Sequence, residues 1–432
     1  MALSRGLLGL FVLMLIAWLL SSDRRRVPVK IILGGLLLQF TLALLVLRTD
    51  SGRAVFDAVG HCVNVILRGA DAGAAFVFGP LAGNHADVAW KAVAGIKIMT
   101  TIVVFSTLSA IGYHYGILQR VVGVMAALLN RTLGVSGAES LSGAANVFLG
   151  QTEAPLLVRP YLSRMTRSEL MAVMSGGFAT ISMGVMGVYV DWLGSTPGGA
   201  ADETRAVTFA RHLLTASLMS APAAFIMAKI MLPERDTPET VGRARVELTR
   251  ETRSGLDAAT AGASQGMQLA INVLAMLIAF VGLMAVIDIG LTALGRVKPI
   301  ADLLTPLGVQ ELTLRVLLGW LFAPIAWLIG IENADLRPFG ALLGTAMAAN
   351  EMVAYGHLKE LVAAGGMSER SIRLATYCLC GFANISSMGI QIAGIGVLAP
   401  DRRSDLVRLA PRAMLAGAMA SWMTGCIAGM LS

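Results

Sequence analysis

Gly177-Phe178-Ala179-Thr180-Ile181-Ser182 returns 204 positions later as Gly381-Phe382-Ala383-Asn384-Ile385-Ser386, with five of the six residues unchanged. Each copy leads into a Met-Gly pair, Met183-Gly184 and Met388-Gly389. A glutamate in an apolar, glycine-rich setting stands 24 residues before the first copy and 30 before the second: Glu153 in LGQTEAP and Glu351 in AANEMVA. The order of carboxylate, then polar glycine-containing helix, is thus written twice. In a chain that spans a membrane, interrupted apolar segments at corresponding places in two halves point to a binding site at the repeat interface.

The membrane premise comes from composition. Of 432 residues, 56% are hydrophobic and only 14% charged, and the mean hydropathy is +0.72, which excludes an ordinary soluble domain. The 47 glycines fit helices that pack closely or break. The net charge of +7 comes from short basic clusters between apolar runs, a positive-inside pattern, so nucleic acid is not an expected partner. Cys62, Cys378, Cys380 and Cys426 form no spaced framework and read as small buried thiols. His61, His85, His114, His212 and His357 show no paired spacing and read as interfacial.

Runs long enough to cross about 30 Å of hydrocarbon lie near 4–20, 31–47, 93–112, 169–190, 207–232, 268–294, 371–398 and 410–431, giving eight expected spans. No signal-peptidase site follows the first run, so it reads as an uncleaved span. Arg24, Arg25, Arg26 and Lys30, and the loop bearing Arg235, Arg243, Arg245, Arg250 and Arg253, are expected in the cytoplasm, which places the N-terminus outside. The loop at 191–206 fits the outer face, although Arg48, Arg53, Arg68 and Lys91 would share that side. Residues 53–69 read as a helix lying on the membrane surface.

Two apolar pieces, 136–163 and 338–365, are too short for two crossings and polar at their midpoints, so each is expected to form a re-entrant hairpin. Amphipathic segments precede them at 114–133 and 308–332, the second containing Arg315 and Pro324. The expected fold is an all-α polytopic membrane protein with eight transmembrane helices, two re-entrant hairpins and an inverted repeat. The expected parts are N-terminal helices (1–92), a first repeat (93–232), a cytoplasmic loop and linker (233–267) and a second repeat (268–432). Three full crossings per repeat turn the second upside down relative to the first.

A carboxylate at membrane depth costs roughly 2.5–3.5 kcal/mol on insertion scales, so Glu153 and Glu351 need partners, a proton or a wet cavity. At the hairpin tips, where helical legs end, they are joined by Gln151, Thr152 and Asn350. Neither tip motif nor the repeated helices carry Arg or Lys, which argues against an anionic substrate and for a neutral, polyhydroxylated or heterocyclic one. Gly177, Gly184, Gly187, Gly381 and Gly389 weaken the repeated helices. Thr180, Ser182, Asn384, Ser386 and Ser387 set side-chain oxygens beside any carbonyls released there, the donors a hard monovalent cation needs. Lys97 and Asp288 read as structural or snorkelling. Gly150 leaves room for purines as well as pyrimidines.

At these motifs the chain resembles the concentrative nucleoside transporter family over almost its whole length. The resembling residues are FVFGPL (76–81), NVFLGQTEAPLL (146–157), the GFATISMGV helix, LLGWLFAPIAWLIG (317–330), NEMVAYGHL (350–358) and CGFANISSMGIQIAGIGVLAPDRRSDL (380–406). The resemblance implies a bacterial protein of the cytoplasmic (inner) membrane, surrounded by lipid. It further implies a homotrimer in which a transport domain slides past a scaffold, an elevator form of alternating access, importing nucleosides such as uridine, cytidine and adenosine. The family's nucleobase contacts fall on Gln151, Thr152, Glu153 and Val185, and its ribose contacts on Glu351, Asn384 and Ser387, with Phe382 nearby. Its sodium site falls on the Asn146 and Thr180 side chains and the Leu149 and Ile181 carbonyls. Retention of asparagine at 146 favours Na+ as the coupling ion, with H+ as the alternative. Leu149 and Thr180 stand at positions that vary in the family, and NEM replaces the commoner NEF; neither change removes a side-chain oxygen. Three other readings stay open from the residues alone: a proton-coupled carrier titrating Glu153 or Glu351, a passive channel, and an intramembrane enzyme using the two carboxylates as acid and base.

Overall fold

The computed structural model describes residues 2–82, 94–194, 202–241, 252–307 and 309–431. Among them the regular elements are all helical. The N-terminal part supplies α1 (Ala2–Leu19), α2 (Val29–Arg48) and α3 (Asp50–Phe78). The first repeat runs through α4 (Ala94–His114), α5 (Ile117–Leu133), α6 (Gly137–Asn146), α7 (Arg159–Leu162), α8 (Arg167–Ala179), α9 (Met183–Leu193) and α10 (Glu203–Met231). After the loop come α11 (Gly255–Gly295), α12 (Lys298–Leu304), α13 (Leu314–Ile329), α14 (Leu336–Ala348), α15 (Glu351–Ala363), α16 (Glu369–Cys378), α17 (Ile385–Leu398) and α18 (Arg403–Leu431). Long helix, shorter helix, helical pair with a polar turn, interrupted helix and long helix therefore occur twice in order.

Seven helices among the described residues are long and apolar enough to cross a membrane, and three shorter apolar helices accompany them. The chain is a multi-pass membrane protein. Residues 53–69 do not form a separate surface helix: they lie inside the 29-residue α3, itself long and apolar enough to cross. The expected span at 371–398 is two helices, α16 and α17, of which only α17 is strongly apolar. The first apolar run is the shorter helix Leu3–Leu19. Lys91 and His85, much of the 191–206 loop, and Arg243, Arg245 and Arg250 of the basic loop fall outside the described residues.

Both copies of the repeated motif interrupt their helix. α8 stops at Ala179 and Thr180 turns extended (φ −123°, ψ 160°); α9 begins after an equally extended Ser182. α16 ends at Cys378, and the extended Asn384 (φ −137°, ψ 165°) caps α17, its side chain accepting from the Ser387 amide. The two breaks touch. A Cβ on Gly381 would lie 2.6 Å from the Phe178 carbonyl oxygen, so only a glycine permits this approach. Ser421 of α18 sits between them, its hydroxyl within reach of the Ala179 and Cys380 carbonyls (3.4 and 3.1 Å). That hydroxyl compensates backbone oxygens released by the missing helical turns.

Around the breaks the core helices are α10 and α18. α10 packs on α2, α3, α8 and α16, and α18 on α1, α8, α16 and α17. By contrast α11 buries little of its length except against α4; Ile278 and Ile289 are 77% and 72% exposed. Such an apolar outer surface suits lipid or another apolar partner.

The first helical pair is anchored at its root. Ser136 and Glu139 form a capping box at α6, Thr166 and Glu169 a second at α8, and the Ser136 hydroxyl donates to Glu169 (2.6 Å) to join them. Lys229 of α10 pairs with Glu139, reaches Glu234 at 3.3 Å and donates to Ser168 at 3.0 Å. The second pair is tied likewise: Asp335 accepts from the Ser368 amide and hydroxyl, and Arg370 donates to the Gly330 and Gly429 carbonyls.

Candidate functional site

The turn of the first helical pair, 147–153, lies across the break of α8 and α9. Its Phe148 carbonyl accepts from the Met183 amide at 3.2 Å. Asn146, the last residue of α6, is 1% exposed, and neither its amide nitrogen nor its amide oxygen meets a protein partner. Its nitrogen faces Gly176, where an added Cβ would be 3.2 Å away. Gly176 is also the residue whose carbonyl accepts from the Thr180 hydroxyl at 2.9 Å. Asn146 and Thr180 therefore meet at one point of α8. The turn residue Leu149 follows Phe148, and Ile181 lies two residues before Met183, on the two sides of this hydrogen bond. A buried, unbonded amide costs about 1–3 kcal/mol unless something completes it. With Thr180 donating to a carbonyl, its oxygen keeps lone pairs free, and the donor set is neutral oxygen throughout, which fits sodium.

A chain of bonded polar side chains crosses the same centre. Glu351, 6% exposed at the tip of the second helical pair, accepts from the Tyr189 hydroxyl (3.3 Å) and the Asn384 amide (2.9 Å). The Asn384 oxygen accepts in turn from the Ser387 amide (2.8 Å) and the Ser386 hydroxyl (2.6 Å). The Ser387 hydroxyl accepts from Gln151 Nε2 (3.1 Å), and Gln151 Oε1 accepts from Gln391 Nε2 (3.1 Å). Both turns, α9 and the second break thereby converge without a charged donor among the links.

The two glutamates differ. Glu351 is enclosed, whereas Glu153 is exposed at its turn and accepts from the Gly150 amide at 2.5 Å. A Cβ on Gly150 would stand 2.9 Å from the Glu153 carboxylate, so in this structure the carboxylate lies over the glycine. Thr152 presses its methyl toward Gly394 of α17, 3.1 Å from a Cβ built there. Val185 is buried on α9 and Phe382 half-buried in the second break.

Several groups escaped the sequence reading. Gln391, wholly buried in the apolar run GIQIAGIGVL, was detectable by the same signal that marks Glu351, a polar side chain where none is needed for packing. Tyr189, stacked on Tyr355 with 3.9 Å between ring centroids, carries no such signal. Glu139 and Lys229, buried together, lie too far apart in sequence to be paired by spacing. Of the residues read as structural or snorkelling, Lys97 bonds Asp191 at 3.3 Å and reaches Asp71 at 3.6 Å, and Asp288 accepts from the Leu314 amide. His212 is not interfacial: it is 6% exposed and its Nδ1 lies 2.9 Å from the Tyr377 hydroxyl. Cys62 is exposed, unlike the other three thiols.

The Na+ dependent nucleoside transporter C-terminal model matches residues 212–429, and the N-terminal model of the same name matches residues 8–81. The chain belongs to this family, the concentrative nucleoside transporters. A further model described as nucleoside recognition covers residues 95–196, which include the first turn and first break. An uncharacterized transporter of Haemophilus influenzae is 39% identical over all of this chain and 98% of its own. Solute carrier family 28 member 3 of Mus musculus is 37% identical over 98% of this chain, which spans only 58% of that longer relative. Sodium/nucleoside cotransporter 1 of Mus musculus is 35% identical over 98% of this chain and 63% of its own. Among solved structures, CNTnw in an inward-facing substrate-bound state superposes with a TM-score of 0.87 at 35% identity, covering 100% of this chain and 98% of that one. A CNTnw variant in an intermediate state gives 0.89 at 35% identity, covering 100% and 99%. Concentrative nucleoside transporters are membrane carriers, so this chain is a transporter and not an enzyme.

Proposed function

We propose that the protein imports nucleosides such as uridine, cytidine and adenosine across a bacterial cytoplasmic membrane by sodium symport. Gln151, Thr152, Glu153 and Val185 form the nucleobase side, Glu351, Asn384 and Ser387 hold the ribose hydroxyls, and Phe382 borders the sugar. The coupling ion takes the Asn146 and Thr180 side-chain oxygens and the Leu149 and Ile181 carbonyls. The observation that carries this reading is the bonded chain from Tyr189 to Gln391, which gathers the Glu351 carboxylate, the carboxamides of Asn384, Gln151 and Gln391, and the hydroxyls of Tyr189 and Ser387. A carboxylate accepts from paired sugar hydroxyls, and a carboxamide offers the donor and acceptor that a base edge requires.

Coupling follows from position. Asn146 ends the helix whose next turn carries Gln151, so an ion bound there orders the base side, and each ligand raises the affinity of the other by one factor. A ligand shifts the carrier between states only through its differential affinity for them. Capture of one relative in inward-facing, outward-facing and intermediate states supports alternating access by an elevator movement here. The apolar outer face of α11 suits the contacts of a homotrimer.

The test is uptake of radiolabelled uridine into proteoliposomes holding the purified protein, with an inward sodium gradient and then with choline replacing sodium at matched pH. Accumulation that requires sodium is expected. Accumulation driven equally well by an inward proton gradient in choline would remove the ion assignment and leave the carrier, and no saturable uptake under either gradient would remove both.

A further inference from the structure

Gln391 lies at the heart of the site yet outside the residues assigned above. Its side chain is wholly buried, its Nε2 lies 3.1 Å from both the Met174 carbonyl and Gln151 Oε1, and its own Oε1 has no protein partner. Room for this meeting comes from the first copy of the repeated motif. A Cβ on Gly177 would stand 2.7 Å from Gln391 Nε2 and 3.0 Å from Gln151 Cβ.

These contacts have a direction set at one end. A backbone carbonyl only accepts, so the face Gln391 turns to Met174 must be its NH2. The second hydrogen of that group points to Gln151, which must answer with oxygen. Gln151 then turns its own NH2 to the Ser387 hydroxyl at 3.1 Å. Rotating the Gln151 amide by half a turn would set NH2 against NH2 and break this bond. Which atom of a carboxamide is nitrogen is otherwise decided by surroundings that could favour either; here it is decided by the main chain of α8.

The polarity matters because uracil and cytosine invert the same edge. Uracil presents an N3–H donor beside an O4 acceptor, and cytosine an N3 acceptor beside an N4 donor. A carboxamide held one way round prefers one of these edges, and a carboxamide free to turn accepts both. We propose that Gln391 is the positioning residue that fixes the polarity of the Gln151 carboxamide and thereby makes the base pocket discriminate between uridine and cytidine. The proposal rests on the reading that Gln151 meets the nucleobase.

The experiment compares wild type with Gln391→Met, of similar length without an amide, and Gln391→Glu, of the same shape but unable to donate to both oxygens while ionised. Sodium-driven uridine uptake in proteoliposomes is inhibited with unlabelled cytidine and with unlabelled uridine, and the ratio of the two half-inhibitory concentrations is read. Wild type is expected to give a ratio displaced from one by about fivefold or more, the lower end of what a correctly paired base edge discriminates. Both variants are expected to bring it back toward one. Should a variant lose uptake, the same ratio is read from the nucleoside concentrations that protect purified protein against thermal unfolding. A wild-type ratio of one, or a ratio preserved in both variants while both affinities fall together, overturns the proposal. Gln151→Ala separates the two levels: unchanged uridine affinity in that variant removes the base-pocket reading itself. Lost discrimination in Gln151→Ala, with discrimination intact in both Gln391 variants, removes only the role of Gln391.

Discussion

Asn146 buries a carboxamide with both polar atoms unbonded, at 1% exposure. Replacing it with alanine removes the unsatisfied group and, with it, the proposed coupling-ion ligand. Asn146→Ala is therefore expected to fold at least as stably as wild type, while the sodium concentration for half-maximal uptake rises about tenfold or more, equivalent to about 1.4 kcal/mol. Sodium titration of uridine uptake checks this; an unchanged sodium dependence would remove Asn146 from the ion site. Glu351 and Thr152 make a second contrast. Glu351→Gln loses charge-assisted acceptance and costs about 1.5–3 kcal/mol in uridine affinity, whereas Thr152→Ala gives up one neutral contact at about 0.5–1.5 kcal/mol. Uridine affinities of both variants decide it, and equal mild losses would make Glu351 a packing residue. Glu351 was legible because a carboxylate in an apolar run has few structural reasons to be there, whereas Asn146 was reached only through the resemblance to the family. The sequence did not disclose Tyr189, whose role depends on a neighbour 162 positions away.

At the level of helices, the two interruptions are held by contact between them, and their glycines are not equivalent. Gly381→Ala would push a methyl to 2.6 Å from the Phe178 carbonyl oxygen, a backbone atom without room to retreat. That substitution is expected to lower the unfolding midpoint in detergent by several degrees, in keeping with an overpacking cost of about 1–3 kcal/mol. Gly389→Ala meets nothing within 4 Å and replaces glycine inside α17, so its midpoint should hold or rise. Equal behaviour of the two would show that the breaks do not depend on touching. Lys229→Met leaves Glu139 buried without its ammonium and is expected to destabilise by about 3–5 kcal/mol, with partial recovery in the Lys229→Met/Glu139→Gln double variant, read by the same unfolding assay. The repeated hexapeptides and the glutamate turns were legible because each breaks an apolar pattern locally. The length of α3 was not, since alternating polar positions in 53–69 fit both a surface helix and a helix whose polar side faces protein, as α3 meets α10 and α4.

Across the whole molecule, four separated stretches of chain are brought to one point, and the groups proposed to meet the substrate are already bonded to one another: Gln151 to Ser387, Asn384 to Glu351, Gln391 to Gln151. Entry of a nucleoside is therefore an exchange reaction, in which each new bond replaces an old one and contributes only about 0.5–1.5 kcal/mol net. Isothermal titration with uridine in saturating sodium is expected to give a dissociation constant of roughly micromolar order, and a nanomolar value would contradict this arrangement. Such restraint is useful to a carrier. A site whose members return to one another when the passenger leaves resets itself, and the return journey begins with Gln151, Ser387, Asn384 and Glu351 already paired.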